Sequence, residues 1–332
     1  MKIIFSESSN LNNSVYGNCQ APIKMFLEKR GEEFEQNSVL KNLFLMGSSK
    51  NYGDVMTTLT AMSGFEPVGE NGAYPLDGMQ EGYQKFLKYQ TWKDSFSVSK
   101  EMIEDGKLLD MRKQPAAFMT SYNRTRELFG AALYGAAMMG NGSVTFKGVK
   151  FDLTGADGSN LFAKEHVPKV SGDKQCNLFK DAFSVDALGK LETKMHLFRG
   201  DNDEILDVAP DTILIPENAD LKKAVFAAIG ADKDPVSANN AFNYQYGRWN
   251  VIVWPYLNHY VTNGVSPWVL LDSKYNETYG GAVWNDRIQL EVRSTIDENT
   301  DANVWRGRSR FNACFNDWRF AAIGGIAAGN SL

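Results

Sequence analysis

The sequence predicts an α+β fold, because helical and strand patterns follow one another in mixed order and not in a regular β–α–β alternation. Residues 113–140 have a helical pattern about twice as long as the average helix of about 11–12 residues. Residues 55–100 have the pattern of a long two-stranded excursion, and residues 287–297 and 302–316 alternate as a second pair of long strands. A helix and a hairpin of this length predict an elongated scaffold.

The composition is that of a folded chain. Of 332 residues, 43% are hydrophobic and 23% are charged, which excludes a disordered or collagen-like protein and leaves room for one large domain or two medium ones. Lys and Arg number 35 and Asp and Glu 40, and the net charge of -5 argues against a surface that binds nucleic acid over most of its area. Aromatic residues make up 12%, which predicts either a well-filled core or large surfaces buried between copies.

Cysteine usage and the N-terminal sequence indicate a soluble protein of a reducing compartment. Cys19, Cys176 and Cys314 are far apart and form no CxxC pair, which disfavours a zinc ribbon or a disulfide scaffold. The apolar run within residues 1–7 is too short for a signal peptide, and no segment approaches the roughly 20 apolar residues of a membrane span. We therefore expect a soluble cytoplasmic product and no membrane partner.

The N-terminal part of the chain is predicted to form an arm, a helix and a hairpin. Residues 1–20 are polar and predict an extended arm, and residues 22–46 have a helical pattern that Gly31 is expected to interrupt. The hairpin follows over 55–100, and residues 54–84, which include its tip, contain acids but no Lys or Arg. Because an isolated hairpin is only marginally stable in water, we expect it to lie on another surface.

The helix predicted over 113–140 has clear boundaries. Pro115 is expected in its first turn, and Gly140-Asn141-Gly142 ends it. Its apolar residues recur on one stripe, which predicts that the helix packs on the sheet of 287–316 and is exposed on its other side. The stripe consists of Phe118, Tyr122, Phe129, Leu133 and Ala136 or Ala137.

The second half of the chain is predicted to mix short strands with two helices. Ser184 is the expected N-cap of a helix over 184–199, and Gly230 is expected to end a helix over 219–230 that buries Phe226. The strand segments are 143–175, with short strands and turns, then 211–217, 246–257, 267–272, 287–297 and 302–316.

No motif indicates a catalytic, cofactor-binding or metal site. His166, His196 and His259 share no ligand spacing with one another or with a cysteine, and a lone His is more often a surface or core residue. The sequence has no GxGxxG after a strand, no GxxxxGK followed by Ser or Thr, and no GxSxG. The acidic run 201–204 lacks the Gly and the distal Glu of a calcium loop, so a solvated turn is expected there. We therefore predict no cofactor and no metal.

One charge pattern near the C-terminus stands out. Arg306, Arg308 and Arg310 occupy every second position of a predicted strand, so all three are expected on one face. Guanidinium groups bind carboxylates bidentately, which favours a ladder that contacts acidic partners. A solvated sheet face and a phosphate-binding face are the alternatives, the second weakened by nearby acids such as Glu291. The candidate acidic partner is the segment 54–84, on the same or a neighbouring chain, with the contact residues Glu66, Glu70, Asp77 and Glu81.

Several short segments follow one another in a distinctive order. They are Asp157-Gly-Ser-Asn-Leu-Phe162 with His166-Val-Pro168, Asp211-Thr-Ile-Leu-Ile-Pro216, Asn250-Val-Ile-Val-Trp-Pro-Tyr-Leu257, Trp268-Val-Leu-Leu-Asp272 and the closing stretch from Arg310-Phe311 to Gly325. This series resembles the major capsid proteins of tailed bacteriophages, of the group related to the Mu-like head subunit. The resemblance covers roughly residues 140–330 by motif, and residues 1–140 match only in the order of arm, long hairpin and long helix.

The resemblance implies the tailed-phage major-capsid fold, which has an N-arm, an E-loop hairpin, a spine helix, an elongated P-domain and an axial A-domain. The implied divisions are 1–54 for the N-terminal arm and helix, 55–100 for the E-loop, 101–175 for the P-domain with its spine helix 113–140, 176–286 for the A-domain, and 287–332 for the C-terminal strands and tail of the P-domain.

The resemblance also implies a structural function, in which the chain self-assembles into pentamers and hexamers of an icosahedral shell that encloses phage double-stranded DNA. The implied partners are further copies, the packaged DNA without sequence specificity, and scaffold, portal and decoration proteins. The implied location is the virion capsid, after assembly in the host cytoplasm. The helix over 22–46 begins too near the start for a large N-terminal scaffolding segment, so a separate scaffold or an already mature chain is expected.

Three further points concern the function. Some capsid proteins cross-link a loop Lys to a neighbouring chain, but Lys85, Lys88 and Lys93 lie on the return strand and not at the tip, which disfavours cross-linking here.

An encapsulin-type cargo shell is one alternative function. A hydrolytic enzyme that uses a carboxylate pair in 176–286 is the other.

Overall fold

The computed structural model shows helices and strands joined mostly by short loops. For residues 59, 81 and 108–111 it describes the backbone alone. The described residues are 3–8, 11–59, 65, 67–70, 72–74, 76, 81–105, 108–170, 172–201, 203–230, 243–262 and 264–326.

The order of helices and strands is mixed, which confirms the predicted α+β class. The helices are α1 (Gly17–Asn37), α2 (Leu40–Leu43), α3 (Lys100–Glu104), α4 (Leu108–Met138), α5 (Val185–His196), α6 (Ala219–Ile229) and α7 (Ser273–Tyr279). The strands are β1 (Ile4–Glu7), β2 (Leu45–Ser48), β3 (Gly53–Leu59), β4 (Glu81–Lys88), β5 (Gln90–Val98), β6 (Ser143–Phe146), β7 (Val149–Asp152), β8 (Thr212–Pro216), β9 (Asn250–Trp254), β10 (Trp268–Leu271), β11 (Ala282–Ile296), β12 (Asn303–Phe315) and β13 (Ala321–Gly324). No helix in these described ranges has the length and apolar character needed to cross a membrane.

A five-stranded sheet is built around the two long C-terminal strands. Its order is β1-β11-β12-β5, and β2 also pairs with β11. Strands β11 and β12 have 15 and 13 residues and pair antiparallel, with register shifts between Asp286 and Glu291. The predicted pair of long strands is thus confirmed, although β11 begins at Ala282, earlier than the alternation indicated.

Helix α4 packs on one face of this sheet through the predicted apolar stripe. The ring of Phe118 lies 5.3 Å from that of Phe96 on β5, and the ring of Phe129 lies 5.5 Å from that of Trp284 on β11. Gly307 of β12 lets the helix come this close, because a Cβ at that position would lie 2.3 Å from the ring of Phe118. The stripe therefore positions the helix along the sheet.

The start of α4 and its exposure differ from the prediction. The helix begins at Leu108, so Pro115 lies inside it and not in its first turn. A proline inside a helix removes one backbone hydrogen bond, and here the packing of the following turns outweighs that loss. Residues 129–138 are buried on all sides, so only the first half of α4 has an exposed face. The end is as predicted, because Gly140 adopts a φ of 74° and closes a Schellman motif.

The N-terminal segment also departs from the prediction. Helix α1 continues through Gly31 and ends at Asn37, and α2 and β2 follow it. Gly31 shares one buried face with Ile23 and Leu27, so the small residue is accommodated by packing and does not end the helix. The predicted arm is extended at Ile4–Glu7, which pairs in parallel with β11, but not over its whole length, because α1 already begins at Gly17.

A second sheet of four strands, ordered β13-β10-β8-β9, forms the other large layer. Every residue of β8 and β10 is buried, as expected for strands that are covered on both faces. The helices beside it begin as predicted or with an equivalent cap: the Ser184 hydroxyl accepts from the N–H of Ala187, and the Asn218 side chain accepts from the first turn of α6. Gly230 follows the end of α6, which confirms that boundary.

Three details of this half were predicted wrongly or missed. Phe226 of α6 is half-exposed, not buried. The segment 246–257 is not one strand, because β9 ends at Trp254 and Pro255, which has no N–H for a ladder, begins the 3-10 helix Pro255–His259. Helix α7 was not predicted, although Asp272 caps its first turn by accepting a backbone hydrogen bond.

The segment around His166 contributes buried polar contacts. His166 is almost fully buried, with Nδ1 2.7 Å from Oδ2 of Asp157 and Nε2 3.1 Å from Oδ1 of Asn177. Its ring stacks on that of Trp318 at a centroid distance of 4.1 Å. Through these contacts the buried His166 joins this segment to the C-terminal strands.

Candidate assembly surfaces

The hairpin of β3 and β4 is a two-stranded ribbon outside both large sheets. Its strands pair antiparallel from Gly53 opposite Lys88 to Leu59 opposite Glu81, which confirms the predicted hairpin. The return strand is shorter than predicted, because Tyr89 separates β4 from β5 and β5 pairs with β12 in the five-stranded sheet.

One face of the hairpin rests on a loop of its own chain. Lys85 is buried, donates to the carbonyl of Thr154 and lies 3.2 Å from a carboxylate oxygen of Asp152. The hydroxyl of Tyr83 donates to the carbonyl of Val167 at 3.3 Å. We call this the inner face of the hairpin. Its polar groups have partners within the chain, and Lys85 is engaged there.

Asp54 holds the base of the hairpin. Its carboxylate accepts hydrogen bonds from Ser49 and Asn51, which lie on the connection between β2 and β3. It also accepts from the hydroxyl of Tyr89, between β4 and β5, and from Asn285 of β11 at 3.4 Å. Burial alone would raise the pKa of Asp54, but the hydrogen bonds donated to the carboxylate outweigh it and lower the pKa below 3.8. Asp54 therefore ties both connections of the hairpin to the long strand β11.

The opposite face of the hairpin and its tip expose apolar side chains. Val55 and Phe86 are Cα partners on this outer face, and each is more than half-exposed. At the tip, Phe65 and Leu76 are fully exposed and Tyr74 is 94% exposed. Reasoning from the sequence singled out the acids of this segment and missed these residues, although large apolar side chains among turn residues were a visible signal.

The four predicted acidic contact residues are only partly described. Glu70 is exposed at the tip. Glu66 and Asp77 lie outside the described residues, and of Glu81 only the backbone is described, at the start of β4. Their contact with the arginines therefore stays a prediction.

The three arginines do lie on one face of β12, as predicted. Two cations of neighbouring strands extend this face, because Arg293 of β11 is the Cα partner of Arg306, and Lys93 of β5 is the Cα partner of Arg308. We call Lys93, Arg293, Arg306, Arg308 and Arg310 the basic face. The residues that point to the opposite, buried side of β12 are Trp305, Gly307, Ser309 and Phe311.

The basic face is electrostatically unbalanced within one chain. Its cross-strand pairs bring like charges directly opposite each other, which is unfavourable in a sheet. Arg308 has a partly exposed partner in Glu291, 3.6 Å away. Among the described residues, no other carboxylate oxygen lies within 4.0 Å of a side-chain nitrogen of the basic face, and Nε of Arg310 is buried without a hydrogen-bond partner. An external anion would neutralise this surface.

Two buried carboxylates among the described residues of 176–286, Asp272 and Glu192, take structural roles. Asp272 caps α7, and burial raises its pKa. Glu192 accepts a 2.9 Å hydrogen bond from Gln245 and a 2.5 Å one from Arg248. Across the described ranges, no three His, Cys, Asp or Glu side chains are grouped so that they could hold a metal ion.

An open groove of about 1540 Å³ runs between α1, α4 and the start of β9. Two of its charged groups are bound to neighbours: Arg126 forms hydrogen bonds of 2.8 and 3.0 Å with Asp286, and Glu127 accepts from Ser38 at 2.6 Å. Burial raises the pKa of Glu127. These contacts tie α4 to the five-stranded sheet and to the connection between α1 and α2.

A hairpin with an exposed apolar tip and a sheet with an unbalanced charged face define a protein built for contacts with other protein chains. The sequence matches the family described as phage capsid protein over residues 83–324, more than two thirds of the chain, and the chain belongs to this family. Its role is structural: it is a major capsid protein that assembles with its own copies into the capsid shell of a virion. The predicted family, fold class and structural role as a major capsid protein are confirmed, whereas the Mu-like group stays a prediction. The family does not favour the encapsulin-type shell or the hydrolytic enzyme.

Solved capsid structures are similar to this chain at low sequence identity. The capsid of Ralstonia phage GP4 aligns with a TM-score of 0.51 and 9% identity, over 89% of this chain and 93% of that one. A structure from Mycobacterium phage Patience aligns with a TM-score of 0.47 and 12% identity, over 99% and 94% of the two chains. The virus-like particle from Pyrococcus furiosus aligns with a TM-score of 0.46 and 10% identity, over 91% and 97%. A comparison with curated protein sequences gave no match.

Proposed function

We propose that the chain forms the five- and six-fold rings of an icosahedral shell, with residues 176–286 as an axial A-domain. The support is the resemblance of the segments between 211 and 257 to that domain. In this arrangement the five-stranded sheet with α4 is the P-domain, the hairpin within 55–100 is the E-loop, and residues 1–54 are the arm and first helix.

The hairpin lies across the P-domain of a neighbouring copy, with its acidic tip on the basic face. The observation that carries this proposal is the charge distribution: the basic face has cations directly opposite cations, while residues 54–84 contain acids and no Lys or Arg. Opposite charges across such a contact set its register and its choice of partner more than its affinity.

The shell encloses double-stranded DNA without reading its sequence. The net charge of -5 supports containment over tight binding, because most of the surface does not attract phosphate. A scaffold protein, a portal and decoration proteins are the further partners, and assembly takes place in the host cytoplasm before the shell becomes the virion capsid.

Expression of the full chain, followed by sedimentation and negative-stain imaging, tests the rings. We expect closed shells, or rings with five and six copies. A two-fold dimer as the only assembled species, without ring contacts from 176–286, would overturn the proposal.

A cysteine trap tests the position of the hairpin. In a chain with C19S and C176S, which removes the partly exposed native thiols, a Leu76→Cys chain is mixed with an Arg308→Cys chain and oxidised. A disulfide between the two chains is expected, because tip and basic face meet only across copies. The matched control replaces the exposed Lys223 of α6, and a disulfide that forms with Lys223→Cys but not with Arg308→Cys contradicts the contact.

A further inference from the structure

The hairpin has an apolar surface that the acid–arginine contact does not use. Val55 and Phe86 lie on its outer face, and Phe65, Tyr74 and Leu76 lie at its tip. We call these five side chains the apolar strip. Within the described residues of one chain, each of these side chains is more than half-exposed. Large apolar side chains gathered on one exposed element mark a protein contact site.

The hairpin does not turn the apolar strip towards its own chain. The inner face is already occupied by the contacts of Lys85 and Tyr83, and the base is held by the hydrogen bonds to Asp54. A rotation that buried Val55 and Phe86 against the loop below would break these contacts and turn Lys85 and Tyr83 away from their partners. The apolar strip therefore faces outward.

We propose that the apolar strip docks on a second copy of this chain and supplies most of the affinity of the hairpin contact, while the charges orient it. This inference rests on the proposed function, because it takes the hairpin as a contact between copies. It differs from that proposal in assigning affinity to apolar burial and not to ion pairs, since exposed ion pairs are weak and buried apolar area is the larger favourable contribution.

Charge complementarity identifies the occupant as a second copy. Four of the five side chains of the apolar strip lie on a segment, 51–84, that has acids but no Lys or Arg, and Phe86 follows this segment. A nucleic acid would be repelled by such a segment. The same chain carries the basic face, where only Arg308 has a carboxylate partner among the described residues. A copy of the chain thus offers, among its described residues, a basic surface that matches the acidic surroundings of the strip.

Three variants of the full chain separate the two contributions. F65S/L76S removes apolar area from fully exposed positions, so the fold of the unassembled chain is expected to stay intact. F65L/L76M is its matched control, because it keeps apolar side chains at both positions. R306S/R308S/R310S removes charge from the basic face. The readout is the lowest protein concentration that gives shells by sedimentation, at low and at high ionic strength.

We expect F65S/L76S to raise this concentration about tenfold or more at both ionic strengths, because apolar burial is not screened by salt. F65L/L76M should assemble as the unchanged chain does. R306S/R308S/R310S should raise this concentration by a smaller factor than F65S/L76S does. The difference from the unchanged chain should shrink at high ionic strength, because salt then screens the charge pairs of the unchanged chain as well.

The outcomes distinguish this inference from the proposed function. If F65S/L76S assembles normally and the arginine variant is impaired, the apolar assignment is overturned and the proposed hairpin contact stands. If F65S/L76S is impaired and the arginine variant is not, the apolar assignment stands and the basic face is not the landing site. If both assemble normally, both ideas are overturned. If F65L/L76M is impaired as strongly as F65S/L76S, the effect is not one of apolar area and the inference also fails.

Discussion

The two large sheets of the molecule differ in how far their two faces are buried within one chain. Strand β8 of the four-stranded sheet is buried along its whole length, whereas β12 of the five-stranded sheet buries every second residue and turns Arg306 and Arg308 outward. Helices and neighbouring strands complete the first sheet within one chain. The second sheet has α4 on one face and unbalanced charge on the other. This difference indicates that folding of one chain covers the four-stranded sheet, whereas the five-stranded sheet keeps one face for contacts made during assembly.

Breaking α4 should have the largest effect, because this helix packs on the five-stranded sheet with its first half and is enclosed on all sides in its second half. Ala131 is fully buried there. A131P removes a backbone hydrogen bond and places a ring against the preceding turn, which should cost about 3 kcal/mol or more in the free energy of unfolding and abolish assembly. Urea unfolding and sedimentation measure the two effects. An A131P chain that still forms shells would show that α4 is not the common support of the structure.

A cavity in the four-stranded sheet should lower the free energy of unfolding somewhat less than A131P does. Leu214 lies in the middle of β8 and is fully buried. L214A should lower the free energy of unfolding by about 2–5 kcal/mol, since the surrounding strands cannot collapse into the space. Urea unfolding of the unassembled chain checks this. A loss below that of a typical surface substitution would mean that β8 is not enclosed as described.

The hydrogen bonds to Asp54 should give a pH-dependent effect. Because the folded pKa of Asp54 is lowered below its usual value of 3.8, the ionised carboxylate stabilises the fold above that value and loses this contribution as pH falls through the lower, folded pKa. Comparing the thermal stability of the unchanged chain with that of D54N should show a difference at neutral pH that shrinks under strongly acidic conditions. A difference that does not change with pH would contradict the role of the ionised group.

Substitutions in the basic face should have little effect on folding stability. R306S/R308S/R310S should change the free energy of unfolding by no more than about 0.5 kcal/mol, because Arg306 and Arg308 are exposed and relief of like-charge repulsion offsets the loss of the pair with Glu291. Assembly should become weaker and less sensitive to salt, because the charge pairs that salt screens are removed. R306K/R308K/R310K is the control, since it keeps the charge and removes only the bidentate geometry. A stability loss as large as that of L214A would mean that this face is part of the core.

The sequence predicted well where a local rule decides the structure. Ser184 caps α5, Gly140 ends α4, and the alternation of β12 places its arginines on one face. It predicted less well where packing outweighs a local preference. Gly31 and Pro115 both lie inside helices, because neighbouring elements bury the faces around them.

For the candidate surfaces, the sequence identified charges but not partners. Arg306, Arg308 and Arg310 were found from spacing alone, whereas Lys93 and Arg293 join them only through strand register. Pattern reasoning cannot supply that register, since Lys93 lies more than two hundred residues from its partner Arg308 in the chain. The apolar side chains of the hairpin tip were visible in the sequence, but their exposure was not.

By itself, the sequence determined the α+β class, the long helix, the hairpin and the face of β12 on which the arginines lie, because periodicity and capping act over a few residues. Only the tertiary structure decided that β1, β2 and β5 join β11 and β12 in one sheet, that Asp54 ties the hairpin to Asn285, and that the inner face of the hairpin is occupied. These features depend on contacts between residues far apart in the chain. Such contacts follow from how the whole chain packs and not from any local pattern.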